Sequence, residues 1–285
     1  MDAIAKNVYI EDKYLGVTLG LITQTRGLIQ IDAPPSPEDG RTWRASLMGM
    51  GNGHERILVN LDAHPDRTLG VRAMDCTVIA HEKTAQAFRN RPNTFKAQGD
   101  ETGANWEAIP GLGSVRWAPP EISFVEKITI HWSDTPILLE SRPGPSSGAI
   151  WVTLPEEKVI FVGDAVAKNQ PPFLAYADLP EWIETLKILQ GPEYKGYSII
   201  SSRGGVVTQQ HVRAQSDELK RIYDKIDKLG KKKPANPATD KLAEQVLKDF
   251  KAPAARQKQY LQRLRYGLNH YYIRHYLPSR HTLEE

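Results

Sequence analysis

The stretch Leu61-Asp62-Ala63-His64-Pro65-Asp66-Arg67 follows the apolar residues 57–59 and Asn60. An apolar run of this length, bounded by polar residues, predicts a buried β-strand. It places Asp62, His64 and Asp66 at alternate positions at the point where the strand ends. Later in the chain a second apolar run, 159–162, is followed by Gly163-Asp164. Strand ends that bring carboxylate and imidazole groups together provide the ligands of a metal site.

Composition excludes several other classes of protein. The chain has 285 residues, is 40% hydrophobic and carries a net charge of +3. This length and composition allow one substantial α/β domain or a domain with a helical appendage, and the mild charge gives no reason to expect nucleic-acid binding. One cysteine, Cys76, excludes an intramolecular disulfide and a cysteine-rich zinc site. The first residues lack the apolar core of a signal peptide, and no segment has the length of a membrane span, so we expect a cytoplasmic protein without membrane contact.

Strand-like and helix-like segments surround the opening stretch. We expect a β-meander over residues 8–31 and a helix from Ser36 to about Met50. After the strand that ends at Asp62 we expect a loop, a strand at 76–80, two strands over 122–139, a hairpin over 149–162 and a strand at 197–200, with helices at 83–90 and 179–190. From Thr208 onward the pattern predicts three amphipathic helices, interrupted at 230–237 and 252–253. The order indicates a β-sandwich with helices on its outer faces over residues 1–207 and a helical extension over 208–285.

Several of these segments, in this order, resemble the metallo-β-lactamase superfamily. The resemblance covers roughly residues 8 to 210. It implies an α+β fold, specifically an αββα four-layer sandwich, and metal-dependent hydrolysis. It rests on Ile31-Asp32 at the end of the meander, Asp62 to Arg67 followed by Leu69-Gly70, His81-Glu82 before a helix, Gly144 to Gly148 before the hairpin, Gly163-Asp164, and Ser201 to Val206.

The superfamily's metal-binding signature, His-x-His-x-Asp-His, is only partly present. Its four ligand positions are occupied here by Asp62, His64, Asp66 and Arg67. The resemblance implies that His64 and Asp66 are retained ligands and that Asp62 is a substitute able to bind metal.

Two further histidine positions of the superfamily are also replaced. Pro145 and Arg203 stand where those histidines are expected, whereas Asp164 keeps the place of the bridging carboxylate. An arginine stays protonated and cannot ligate a metal ion.

One hypothesis is a divergent hydrolase that holds at most one divalent ion (Zn, Fe or Mn). Its metal ligands would be Asp62, His64 and Asp164. Asp66 and Asp164 would be catalytic, with Asp66 as ligand partner or general base for water. Arg67 and Arg203 would bind the anionic group of a substrate, since paired guanidinium groups suit carboxylate or phosphate.

The residues leave a second hypothesis open. Arg67 and Arg203 would neutralise the carboxylates of a metal-free site, and the chain would be a catalytically inactive binding or assembly protein. A third possibility is that the arginine-lined pocket binds a small anionic molecule without turnover.

The last predicted helix, within residues 256–276, combines a Leu/Tyr stripe with Arg263, Arg265 and Arg274. We interpret it as an amphipathic helix whose stripe is buried on the domain or on a second subunit, with the arginines in solvent. This predicts a homo-oligomer through the C-terminal helices, or a cover over the mouth of the site.

Overall fold

Two β-sheets packed face to face form the centre of the protein. The structure is a computed structural model that describes residues 1–50, 53–96, 102–232, 238–250 and 252–277. Over this part of the chain the first sheet has seven strands in sequential order: β1 (Asp2–Ala5), β2 (Val8–Glu11), β3 (Leu19–Thr23), β4 (Gly27–Ile31), β5 (Glu55–Val59), β6 (Thr77–His81) and β7 (Ile122–Phe124). Strands β1 to β4 form an antiparallel meander, and β4 to β7 are parallel.

The second sheet has six strands within the described residues, in the order β13-β12-β11-β10-β9-β8. Its members are β8 (Lys127–Ile130), β9 (Ile137–Ser141), β10 (Ile150–Leu154), β11 (Val159–Ala167), β12 (Ser198–Arg203) and β13 (Gly205–Val207). Strands β11 and β12 are parallel, and the other neighbours are antiparallel.

Helices cover the outer face of each sheet. They are α1 (Pro37–Leu47), α2 (Pro65–Thr68), α3 (Val71–Met74), α4 (Glu82–Asn90), α5 (Leu179–Leu189), α6 (Gln209–Lys231), α7 (Thr239–Asp249) and α8 (Gln257–Tyr276). Ser36 caps α1 by accepting a hydrogen bond from the backbone of Asp39, with Pro37 at the first helical position. No helix in the described ranges combines the length and the apolar character needed to cross a bilayer.

Alternate residues of each strand point to opposite faces of its sheet, so they contribute to two different hydrophobic cores. In β11, Phe161 contributes to the core between the sheets, whereas Ile160 and Val162 point to the outer core beneath the helices. On the other side, Trp43 of α1 packs in a separate cluster with Leu58 of β5. The predicted αββα four-layer sandwich with C-terminal helices is confirmed.

The C-terminal helices pack on the second sheet of their own chain. Leu264 and Leu268 of α8 are fully buried in the same core as Ile160 and Ile199. The Leu/Tyr stripe is therefore buried without a second subunit, and the predicted homo-oligomer stays a prediction. The division into residues 1–207 and 208–285 also stays a prediction.

Two local expectations need correction. Residues 122–139 contain three strands rather than two, because Val125 and Glu126 carry the chain from the edge of the first sheet to the edge of the second. The segment after Asp62, expected to be a loop, contains the one-turn helices α2 and α3.

Candidate functional site

The ends of four strands meet at one edge of the sandwich. Asp32 follows β4, Asp62 follows β5, Asp164 lies in the second half of β11, and Arg203 ends β12. A left-handed conformation at Gly163 (φ +60°) accompanies a register shift between β11 and β12, immediately before Asp164. Such a bulge bends a strand and changes the direction of its next side chain.

The short helix α2 brings the remaining members of the site inward. His64 is its N-cap and accepts a hydrogen bond from the backbone N–H of Asp66 through Nδ1 (3.2 Å), and Pro65 follows at the first helical position. Asp66 and Arg67 are consequently both fully buried.

Arg67 contacts three carboxylates. Its Nε lies 3.1 Å from Asp62 Oδ1, as an ion pair without hydrogen-bond geometry, and its Nη1 lies 3.4 Å from Asp32 Oδ2. Its Nη2 donates a hydrogen bond to Asp164 Oδ1. Nη1 also donates to the hydroxyl of Ser202 (3.0 Å). One guanidinium thus joins the ends of β4, β5 and β11.

Arg203 forms the second half of this Asp–Arg network, which we define as Asp32, Asp62, Asp66, Arg67, Asp164 and Arg203. It holds Asp164 in a fork, with Nε to Oδ1 at 2.9 Å and Nη2 to Oδ2 at 3.1 Å. Its Nη1 donates to Asp66 Oδ2 and to the carbonyl of Gly16 (2.6 Å). Two parallel N–H···O bonds of this kind are the strong, directional form of an ion pair.

The protonation of the network follows from burial and from the two arginines. Burial opposes ionisation of Asp66 and Asp164, but the attraction of Arg203, together with the Trp106 backbone N–H at Asp66 and Arg67 at Asp164, exceeds it and lowers the pKa of both carboxyls. Burial raises the pKa of Asp62, and it raises that of Asp32 to about 6. The pKa of Arg67 is raised because the attraction of Asp164, Asp62 and Asp32 exceeds the effect of burial. The network contains four carboxyl groups and two guanidinium groups, so the arginines compensate part of the carboxylate charge at neutral pH.

The imidazole of His64, beside the Asp–Arg network, is neutral at neutral pH. Burial, followed by the repulsion of Arg203, lowers the pKa of His64 to about 3. Its Nδ1 accepts from the backbone of Asp66 and lies 3.1 Å from Nη2 of Arg203, a pure donor. We therefore assign the proton of the neutral ring to Nε2.

The residues present do not fit a metal ion in this arrangement. The Nδ1 lone pair of His64 is used by two donors, and Asp62 and Asp164 direct oxygens to Arg67 and Arg203. Within the described ranges, no three His, Cys, Asp or Glu side chains form a group able to hold a metal ion. Two protonated guanidinium groups also repel a cation at short range.

A cavity of about 340 Å³ opens beside the network. The predicted metal ligands Asp62, His64 and Asp164 line it, together with Pro145. Its other walls include four aromatic residues, Phe95, Trp106, Trp117 and Phe173, and three residues of α8, Arg263, Tyr266 and Gly267. Apolar walls with a few convergent polar groups are typical of a small-molecule site.

The structure brings all six predicted site residues together, but only Asp62, His64 and Asp164 line the cavity. Arg67 and Arg203, expected to bind substrate, are buried behind the carboxylates and are not among the residues that line the cavity. Their role and those of Asp62, His64, Asp66 and Asp164 stay predictions.

Arg263 is the cavity residue that sequence reasoning misassigned. It was expected in solvent, but it is 1% exposed. The helical spacing could have predicted this burial. Arg263 lies three residues after Tyr260 and four before Gly267, and both of these residues are on the buried face of α8.

Comparison with known proteins shows which family the chain resembles. A sequence model of the metallo-β-lactamase superfamily matches residues 63–198, which include His64, Asp66, Arg67 and Asp164. The chain resembles the metallo-β-lactamase superfamily over this segment and shares its fold. The resemblance is divergent, because arginine or proline stands at three of the positions where the superfamily's histidines are expected. No curated protein matches the chain.

Solved structures of the superfamily share the fold at low sequence identity. A metallo-β-lactamase from Pontibacter korlensis is 19% identical, with a TM-score of 0.58 over 77% of this chain and 97% of that one. A metallo-β-lactamase from Erythrobacter litoralis is 16% identical, with a TM-score of 0.59 over 77% and 95%. Likenesses at these identities establish the fold alone.

The C-terminal helices also have a structural counterpart. The sec-alkylsulfatase Pisa1 from Pseudomonas sp. is 12% identical, with a TM-score of 0.63 over 96% of this chain. A match of that extent includes most of α6 to α8. The chain spans about half the length of the sec-alkylsulfatase, 49%.

Removal of Arg67 is expected to destabilise the fold strongly. Arg67→Met leaves Asp62 and Asp164 buried with less compensation, which typically costs about 3–5 kcal/mol. Arg72→Met, an exposed position on α3, should change the free energy of unfolding by less than about 0.5 kcal/mol. Urea unfolding measures both. A loss below about 1 kcal/mol for Arg67→Met would show that the network does not hold the strand ends together.

The neutral state of His64 predicts a defined acid sensitivity. Its folded pKa of about 3 lies below the ordinary 6.5, so its contribution to stability is present above pH 6.5 and is lost as pH falls toward 3. His64→Asn can still cap α2 but does not titrate. Between pH 6.5 and 3, the wild type should lose stability relative to this variant by up to about 1.4 kcal/mol per pH unit. Parallel profiles of unfolding free energy would contradict a buried neutral imidazole.

Proposed function

We propose that this protein is a metal-independent member of the superfamily that binds a small organic molecule in the cavity beside the Asp–Arg network. The carrying observation is that Arg67 and Arg203 engage the donor atoms of Asp62, His64 and Asp164. These are the atoms through which a divalent ion would be held. The proposal corresponds to the second of the hypotheses raised by the sequence, with a ligand site added.

The charge balance supports this proposal. In a metal site, clustered carboxylates are compensated by the cation they bind. Here Arg203 compensates Asp66 and shares Asp164 with Arg67, which also approaches Asp62. The strand ends therefore keep their close approach without an ion, and the adjoining cavity is preserved.

A single-metal hydrolase is the second candidate, because Asp62, His64 and Asp164 all line one cavity in a protein that resembles this superfamily. Zn, Fe or Mn would then be held by these three residues. Such a site would require Arg67 to withdraw from Asp62 and Asp164. Asp66 and Asp164 would be catalytic, and Arg67 and Arg203 would bind an anionic substrate.

Two further parts of the proposal concern the protein's surroundings. We propose that the protein acts in the cytoplasm on a small molecule rather than on nucleic acid or a membrane, consistent with its mild net charge. A homo-oligomer through the C-terminal helices is retained as a proposal whose interface would have to use faces of these helices other than the buried Leu/Tyr stripe.

The decisive test is metal content, measured by elemental analysis. Wild-type protein is purified without chelator and without a metal-binding tag, then incubated with zinc, iron and manganese salts and desalted. We expect no stoichiometric metal. The double variant Arg67→His and Arg203→His should gain metal, because two imidazoles replace the cations that face Asp66 and Asp164.

The matched control is Arg67→Lys with Arg203→Lys, which keeps both positive charges and should stay metal-free. Close to one ion per wild-type chain, lost in His64→Ala, would overturn the metal-independent proposal and support the single-metal hydrolase.

A further inference from the structure

Arg263 is a buried cation without a carboxylate partner. Its Nε donates to the carbonyl of Gly103 (3.1 Å), and its Nη1 donates to Gln170 Oε1 (2.9 Å) and to the carbonyl of Pro171 (3.1 Å). Its Nη2 is buried and has no hydrogen-bond partner among the described residues. In the part of the chain that the structure describes, no acidic side chain lies within ion-pair distance of it.

This arrangement differs from that of the other two buried arginines of the site. Arg67 and Arg203 are each surrounded by aspartates, whereas every hydrogen-bond acceptor of Arg263 is neutral. Burial, followed by the repulsion of Arg203, lowers the pKa of Arg263 to about 10, so it remains a cation at neutral pH. A buried charge without a counter-ion is unfavourable. Its unused N–H group therefore points to a missing anion.

The cavity supplies the place for that anion. Arg263 lines it, and the guanidinium carbon of Arg263 lies 4.0 Å from the centre of the Phe173 ring. The acidic groups Asp62 and Asp164 line the same cavity, but Arg67 and Arg203 compensate their charges. An anion entering the cavity meets Arg263, a buried cation with an unused N–H group, while Lys83, Arg91 and Lys96 line other parts of the wall.

Part of the wall is aromatic, beside basic and hydroxyl side chains. Phe95 packs edge-to-face on Trp106, with ring centres 4.8 Å apart, and on Trp117 at 5.3 Å. Phe173 in turn packs edge-to-face on His64 at 4.5 Å. Such a surface favours a flat or chain-like hydrocarbon over a fully hydrated inorganic ion.

The fold fixes the position of Arg263 closely. Gly103 has a left-handed conformation (φ +67°), and a Cβ atom there would lie 2.5 Å from the backbone nitrogen of Arg263. The backbone at Gly103 therefore lies directly against α8 while its carbonyl accepts from Arg263. A side chain held this way is preorganised to bind a charged group.

We propose that Arg263 is the anchor for the anionic head of an amphipathic organic monoanion whose apolar body lies against Phe173 and the Phe95, Trp106 and Trp117 wall. The head would be a carboxylate or another singly charged oxyanion. This inference rests on the proposed function, because it names the ligand class of the same cavity. It assigns to the C-terminal helix the role that the sequence suggested for Arg67 and Arg203.

The test compares two probes of nearly the same shape on the full-length protein. Isothermal titration calorimetry measures the Kd of 2-naphthoate, an aromatic monoanion, and of 2-naphthamide, its neutral counterpart. We expect 2-naphthoate to bind about tenfold or more tightly, the effect of a hydrogen bond to a charged group. Arg263→Gln should bring the two Kd values together, and Arg263→Lys should retain part of the preference.

The matched control is Arg265→Gln, two residues further along α8. Arg265 pairs with Glu244 on the surface and is not among the cavity-lining residues, so the preference for 2-naphthoate should be unchanged. If Arg263→Gln fails to fold, the ratio measured on the wild type and on Arg263→Lys still decides the question.

The outcomes separate this inference from the proposed function. Equal Kd values for the two probes on the wild type would overturn the anion anchor while leaving small-molecule binding intact. A preference for 2-naphthoate that survives in folded Arg263→Gln would also overturn it. Binding of neither probe would overturn both the anchor and the proposed ligand site.

Discussion

Two buried guanidinium groups hold the ends of the central strands together, and the site depends on them. Arg67 joins Asp32, Asp62 and Asp164, which follow or belong to three strands of the two sheets. Arg203 adds a fourth strand through its fork on Asp164. Without these cations, several carboxylates would face one another at low dielectric, where their repulsion is large. The network therefore does the structural work that a bound ion would do among clustered carboxylates.

This replacement has a consequence for chemistry. A metal ion in such a site activates water because it has an open coordination position and acidifies the water bound there. A guanidinium has no such position, and it donates all its hydrogen bonds without exchanging protons. The neighbouring cavity, with its aromatic walls and the unpaired cation Arg263, keeps the features of a binding site. These features support the proposal that the cavity binds a small molecule.

The sequence predicted the fold well because its information there is local and periodic. Alternating apolar residues around 149–162 and the helical spacing after Thr208 each reflect burial on one face, and the ordered strand ends placed Asp62 and Asp164 together. The contacts within the site could not be predicted from the sequence in the same way. Which carboxylates Arg67 would contact depends on distances between residues far apart in the sequence.

The burial of Arg263 was also not predicted from the sequence. Its position on the buried face of α8 was readable from the period of the helix, but a basic residue in such a stripe is ordinarily expected to extend to solvent. Its burial follows from the close packing of Gly103 on the helix and from backbone acceptors at Gly103 and Pro171, none of which a single sequence places nearby.

The central claim is that Arg67 and Arg203 take the place of metal ions. The most direct measurement is a crystal structure of the wild-type protein grown with excess zinc, with diffraction data collected on both sides of the zinc absorption edge. The account predicts the guanidinium of Arg67 between Asp62 and Asp164 and no anomalous density there. An anomalous peak about 2.0–2.2 Å from His64 and the two carboxylates, with Arg67 displaced, would contradict it.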